Sequence, residues 1–128
     1  MVSKNLRIWF VIHFVLDYAF ALPLLIAPKF TLSLFGWPTV DPFTARLVGA
    51  ALIGIGGESL LGRNASAEAF KAMLNLKLLW ASAAILGMSV TLLTGNYPPI
   101  GWGFVLIFVI FFFVWLYYRL QLGQSKET

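Results

Sequence analysis

Four long apolar segments fill most of the 128-residue chain, and short polar or proline-rich stretches separate them. A helix of about 20 residues is about 30 Å long, which matches the hydrocarbon thickness of a bilayer. The pattern therefore predicts an all-α integral membrane bundle of four transmembrane helices, in one domain over residues 1–128. The predicted helices cover about residues 7–27, 43–62, 67–93 and 100–118.

Several residues are expected to set the ends of these helices. Pro28 should end the first helix, because proline lacks the amide hydrogen that a continuing helix needs. The apolar stretch Lys29–Trp37 is too short to span a bilayer and is suited to the headgroup region. Ser66 is expected to cap the third helix, with Glu68 in its first turn, where the helix dipole favours an anion.

The last apolar run, Ile100–Tyr118, carries no charged residue and is the strongest transmembrane segment. Its terminal aromatic residues are expected to anchor it at the two membrane interfaces. Its central aromatic run, Phe108 to Trp115, is expected to face lipid. The predicted anchors are Trp102, Trp115, Tyr117 and Tyr118.

Composition supports a membrane location. The chain is 60% hydrophobic and only 11% charged, whereas soluble domains are about 25% charged. Its net charge of +4 comes from scattered basic residues, and no basic stripe predicts nucleic-acid binding. Six basic residues fall on the predicted cytoplasmic side, against Lys29 and Arg46 on the other; the six are Lys4, Arg7, Arg63, Lys71, Arg119 and Lys126. Positive residues favour the cytoplasm, so we expect a multi-pass protein of the inner (plasma) membrane with both termini cytoplasmic.

Much chemistry is excluded by the residues that the chain lacks. It has no cysteine and a single histidine, so the three or four ligands of a zinc centre cannot be assembled. No serine has a histidine and an acid in a plausible triad arrangement. We therefore predict no catalytic residues, no metal and no cofactor, and an enzyme is the least favoured reading.

Four ionisable residues lie within the apolar segments, namely His13, Asp17, Glu58 and Lys77. Each costs at least about 2.5 kcal/mol in hydrocarbon, so each needs a partner, water or a role. Counted along the helices, Asp17 lies near the midplane and the other three roughly 6 to 9 Å to its cytoplasmic side. His13 and Asp17 share a helix face. The sequence predicts a polar pocket in which these two residues pair and Glu58 pairs with Lys77.

Small residues in the second helix suggest which of its faces packs. Arg46, Ala50, Gly54 and Glu58 recur every four residues, and Ala50 with Gly54 would let another backbone approach closely. Glu58 is therefore expected to face a neighbouring helix. Arg46 is a weaker pocket candidate, as is Asn75 in the third helix. The alternative is that all these polar contacts only fix helix register.

The first half of the chain carries several short motifs, namely Ala27-Pro28, Leu34-Phe35-Gly36, Arg46-Leu47-Val48-Gly49-Ala50 and Gly56. Together they resemble the opening of small four-helix bacterial membrane proteins of the DoxX-like type and related uncharacterised families. The resemblance implies a four-helix architecture and a bacterial inner-membrane location. DoxX-like proteins have been linked to redox partners, but this chain has no recognisable residue set for haem, flavin or quinone.

Three functions remain open from the sequence. The chain could bind a lipid or isoprenoid in the polar pocket, or it could be an accessory subunit that packs against a membrane-protein partner. The alternative is a proton-coupled small-molecule transporter, which would need a homo-oligomer because four helices suffice only if copies combine.

Overall fold

A computed structural model describes residues 1–125, and within them the chain forms five helices and no strands. Lys126, one of the predicted cytoplasmic charges, lies outside these residues. Four of the helices, α1, α3, α4 and α5, are long and apolar enough to cross a membrane. The bounds are α1 Lys4–Ile26, α2 Pro28–Leu34, α3 Pro42–Leu61, α4 Ala67–Thr94 and α5 Gly101–Ser125.

Side-chain caps explain where the long helices begin. The hydroxyl of Ser66 accepts a hydrogen bond from the Ala69 amide at 3.3 Å, so the predicted cap of α4 is confirmed. Ser3 caps α1 in the same way, accepting from the Leu6 amide at 3.2 Å. This cap was missed from the sequence, and it starts α1 three residues before the expected position because it satisfies an amide that the first turn leaves unpaired.

Pro28 does not simply stop the chain; it begins α2. Ala27 leaves the helical conformation at φ −141°, and Pro28 then occupies the first turn of α2, where its missing amide hydrogen costs nothing. The Thr31 hydroxyl donates to the Pro23 carbonyl at 3.0 Å and ties α2 back to α1. Gly36, at φ 87°, follows the end of α2 in a conformation that favours glycine.

The expected end of the last helix, near residue 118, was wrong. Helix α5 continues to Ser125, because Leu122 extends the buried face of the helix by one more turn and is only 3% exposed. Gln121 supports the extension with a hydrogen bond from its side-chain nitrogen to the Tyr117 hydroxyl, 2.8 Å away.

The chain divides into two compact units, and the first is Ser3–Asn64. The second comprises the residues from Ala65 on, together with Met1 and Val2. The single domain expected over residues 1–128 stays a prediction. In the first unit α1 and α3 pack antiparallel along two faces of helical spacing. The α1 face is Leu6, Phe10, His13, Asp17, Ala21 and Leu24, and the α3 face is Ala45, Gly49, Leu52, Gly56 and Ser59.

Two arginines cap this antiparallel pair reciprocally. Arg46, near the start of α3, donates from Nε to the Leu25 carbonyl at the end of α1, 2.9 Å away. Arg7, near the start of α1, donates from Nη1 to the Arg63 carbonyl just after α3, 2.8 Å away. Carbonyls at a helix C-terminus lack intrahelical donors and carry partial negative charge, so a guanidinium group there stabilises both helix ends.

The second unit is an antiparallel pair of α4 and α5. Trp80 packs against Phe108 with the ring centroids 6.1 Å apart. Trp115 is only 1% exposed and stacks on Phe111 at 5.5 Å, so the expectations that it anchors at the interface and that both rings face lipid were wrong. Trp102 and Tyr117 are exposed as expected of anchors, whereas Tyr118, also expected to be an anchor, is only 9% exposed.

Asp41 caps the N-terminus of α3, and the stability that this cap provides depends on pH. The Thr44 hydroxyl and the Phe43 amide donate hydrogen bonds to its carboxylate and together hold the pKa of Asp41 below its ordinary value of 3.8. A carboxyl with a lowered pKa in the folded state stabilises the fold above its unfolded pKa, and this contribution is lost as pH falls through the folded pKa.

We therefore expect Asp41→Asn to flatten part of the acid dependence of stability. Asparagine caps helices about as well as aspartate does, but it does not titrate. Unfolding in mixed micelles, followed by circular dichroism from about pH 5 downward, should show the wild type losing stability faster than the variant. If the stability of the two proteins fell in parallel with pH, the lowered pKa of Asp41 would not contribute to the acid dependence of stability.

Candidate functional site

The buried face of α1 carries an imidazole and a carboxylate in contact. His13 Nε2 lies 3.3 Å from Asp17 Oδ1, and both residues are 6% exposed. Their spacing of four places the two side chains on one helix face beside Ala21, so the predicted pairing is confirmed. At this distance the imidazole can donate a hydrogen bond to the carboxylate.

Glycines of α3 let its backbone come close to this pair. A Cβ atom at Gly56 would lie 2.7 Å from the Asp17 Cβ, which no packed structure tolerates. One residue on, the Tyr18 hydroxyl donates to the Ile53 carbonyl at 3.2 Å, and Gly57 leaves the space that this hydroxyl occupies. Because these two glycines have no side chains, the α3 backbone packs directly against the polar face of α1.

The α3 face that packs against α1 is not the one predicted to let a neighbouring helix approach closely, and packing of that predicted face against another helix stays a prediction. Arg46, Ala50, Gly54 and Glu58 are all exposed, and a Cβ at Gly54 would touch nothing within 4 Å. The α3 residues that pack against α1 precede these exposed residues by about one position, so the two faces are about 100° apart around the helix. Glu58 therefore does not face α1, and its pairing with Lys77 stays a prediction.

Lys77 is a buried residue of α4. It is 3% exposed, and its Nζ lies 5.0 Å from the centroid of the Trp115 ring on α5. Within the α4–α5 pair the aromatic face stabilises the cation, an interaction worth about 2 kcal/mol when desolvated.

The two weaker candidates both hold helices together. Asn75 Oδ1 accepts a hydrogen bond from Arg119 Nε, 2.9 Å away, which joins α4 to α5. Arg46 is engaged at the end of α1, as described above, and this role accounts for its position without a ligand.

Three participating residues were missed from the sequence. Tyr18 could have been noticed because it follows Asp17 in the apolar segment, and Trp115 because it lies at the depth of Lys77 on an antiparallel neighbour. Ser59 is 1% exposed, and its hydroxyl donates to the Ile55 carbonyl at 2.9 Å. Nothing in the sequence distinguishes Ser59 from serines that only satisfy their own helix.

Chemically, the His13–Asp17 pair offers both a hydrogen-bond donor and acceptors, and either residue can exchange a proton. Such a pair can hold a neutral polar head that both donates and accepts, such as a hydroxyl group. Lys77 adds a buried amine on the α4–α5 pair.

Comparison with protein-family models, curated proteins and solved structures gives no match. The resemblance to DoxX-like proteins accordingly stays a prediction, and the function is argued from the residues alone.

Proposed function

We propose that the chain is a small integral membrane protein that binds a lipid-like molecule through buried polar side chains. Its four long helices cross the bilayer, both termini lie in the cytoplasm, and the membrane is a bacterial inner membrane of the kind that houses DoxX-like proteins. Supporting this are the apolar length of the helices and the excess of basic residues on one predicted side.

The observation that carries the binding role is the buried His13–Asp17 pair. Ionisable groups inside a membrane helix are costly and are retained mainly where they bind, relay protons or pair. The ligand class that suits the pair has an apolar chain and a hydroxyl-type head, as a lipid or an isoprenoid alcohol has. The carboxylate accepts from the hydroxyl, while the imidazole supplies the complementary donor.

Native mass spectrometry of the detergent-extracted protein tests this proposal. We expect the wild type to carry a lipid or isoprenoid mass that Asp17→Asn loses, since the amide removes the charge without changing the shape. Glu58→Gln is the matched control, because it makes the same chemical change on the exposed face of α3. A wild type without bound mass, or an Asp17→Asn protein that keeps it, would contradict the proposal.

A second candidate function is favoured by Glu58 itself. Its carboxylate is exposed on the α3 face that also exposes Ala50 and Gly54, a surface on which a second copy of the chain could pack closely. A homo-oligomer joined there would place titratable carboxyl groups at its interface, as a proton-coupled transporter requires. Copy number in the same spectra tests it: an oligomer that Glu58→Gln dissociates would favour the transporter. A monomer that co-purifies with another membrane protein would favour an accessory subunit.

A further inference from the structure

Arg119 differs from Arg7 and Arg46 in the group that its guanidinium contacts. Its Nε donates to the neutral amide oxygen of Asn75 at 2.9 Å, and within residues 1–125 it makes no other hydrogen bond or ion pair. Arg7 and Arg46 instead bind carbonyls at helix ends, where the dipole favours a cation. Lys71 pairs with a carboxylate. Among the described residues, the charge of Arg119 is thus oriented without being neutralised.

The geometry leaves the terminal nitrogens of Arg119 available for an anion. Because Asn75 engages Nε, both Nη groups keep their hydrogen-bond donors. Nη1 lies over Gly123, where a Cβ would be 3.6 Å away, so the side chain extends toward the end of α5. A guanidinium group with its two terminal nitrogens presented together matches two oxygens of a phosphate.

Depth along the helices places this group at the membrane boundary. Arg119 lies about 27 Å from the start of α5, and Asn75 about 28 Å from the end of α4, at 1.5 Å per residue. A bilayer's hydrocarbon core is about 30 Å thick, so both side chains reach the level at which phosphates begin. The exposed Tyr117, two residues before Arg119 on the membrane side, fits the aromatic belt of such an interface.

From these observations we infer that Arg119, oriented by Asn75, binds the phosphate of an anionic phospholipid. The phosphate belongs to a lipid and not to a free anion, because apolar side chains for acyl chains lie beside the site on its membrane side. On α4, Leu76 and Leu79 are 49% and 72% exposed next to and one turn from Asn75. This site shares no residue with the His13–Asp17 pair, but it rests on the proposed insertion into a membrane.

Lipid analysis of nanodiscs with equal phosphatidylglycerol and phosphatidylcholine tests the inference. The wild type should retain phosphatidylglycerol preferentially after detergent extraction, and Arg119→Gln should lower that preference about fivefold, the attraction of one basic side chain to an anionic surface. Asn75→Asp should lower it comparably, because the carboxylate keeps the hydrogen bond and neutralises the guanidinium. Lys29→Gln, which removes an exposed charge on α2, is the control and should change nothing.

Three results would overturn the inference. They are an unchanged preference in Arg119→Gln, an equal loss in Lys29→Gln, and displacement of the bound lipid by excess inorganic phosphate, which would assign the site to the free anion. A wild type that does not enter nanodiscs would overturn the membrane proposal as well, so the two failures are distinguishable.

Discussion

Replacing His13 with leucine is expected to lower the free energy of unfolding by about 2 to 3 kcal/mol, because it removes the imidazole 3.3 Å from a carboxylate that stays buried. In the Asp17→Asn background the same replacement should cost less, since a neutral amide tolerates the loss of a partner better than a charge does. The coupling energy of this double-mutant cycle should reach about 1 kcal/mol.

Titration with sodium dodecyl sulfate in mixed micelles, followed by circular dichroism, measures the four proteins of this cycle. Additive costs would mean that His13 and Asp17 contribute independently, and that the 3.3 Å contact is incidental. Coupling, by contrast, would establish the pair as one unit. Combined with the ligand masses, it separates a pair that binds from one that only fixes helix register.

The substitution Gly56→Ala is expected to cause the second large loss of stability. The alanine Cβ would lie 2.7 Å from that of Asp17, so α1 and α3 must separate. We expect a cost of about 1 to 3 kcal/mol, as for overpacked cores, despite the better helix propensity of alanine.

Gly54→Ala is the matched control on the same helix. A Cβ there meets nothing within 4 Å, so only the helix propensity changes and stability should rise by up to about 1 kcal/mol. The same unfolding titration measures both variants. Equal changes in stability at the two glycines would contradict the packing of the Gly56 face of α3 against α1. A loss of stability at Gly54 alone would indicate that the face expected from the sequence is the one that packs.

The buried face of α1 could be predicted from the sequence because few residues of this helix are ionisable. His13 and Asp17 are the ionisable residues of an otherwise apolar segment, and their spacing of four leaves one geometric solution. The same argument does not identify the α3 face that meets α1, because small residues occur on several faces of that helix. Gly49 and Gly56 are as small as Ala50 and Gly54, so size alone did not show which of them meets α1.

The number of membrane-length helices and most of their ends followed from apolar length, proline and caps, whereas the surroundings of Lys77 could not be predicted in this way. A lysine near an interface can extend to water or be enclosed, and the choice depends on which residues of the next helix lie at its depth. Trp115 was counted as an anchor because indoles favour interfaces. Its burial beneath Lys77 depends on the pairing of α4 with α5, which no local pattern encodes.

The central claim, that four helices cross a membrane with both termini in the cytoplasm, is tested most directly by cysteine accessibility. The chain has no cysteine, so single cysteines at Asn64, Asn96 and Ile110 can be read without background. They are labelled with a membrane-impermeant maleimide in sealed vesicles of each orientation. Ile110 is half-exposed near the middle of α5 and serves as the probe for hydrocarbon.

The account predicts that Asn64→Cys reacts only when the cytoplasmic face is outward and Asn96→Cys only when it is inward. Ile110→Cys should react in neither orientation until the protein is unfolded in sodium dodecyl sulfate. Labelling of Ile110→Cys in sealed vesicles as fast as at the loop positions would contradict membrane insertion, and reversed labelling of the two loops would contradict the orientation.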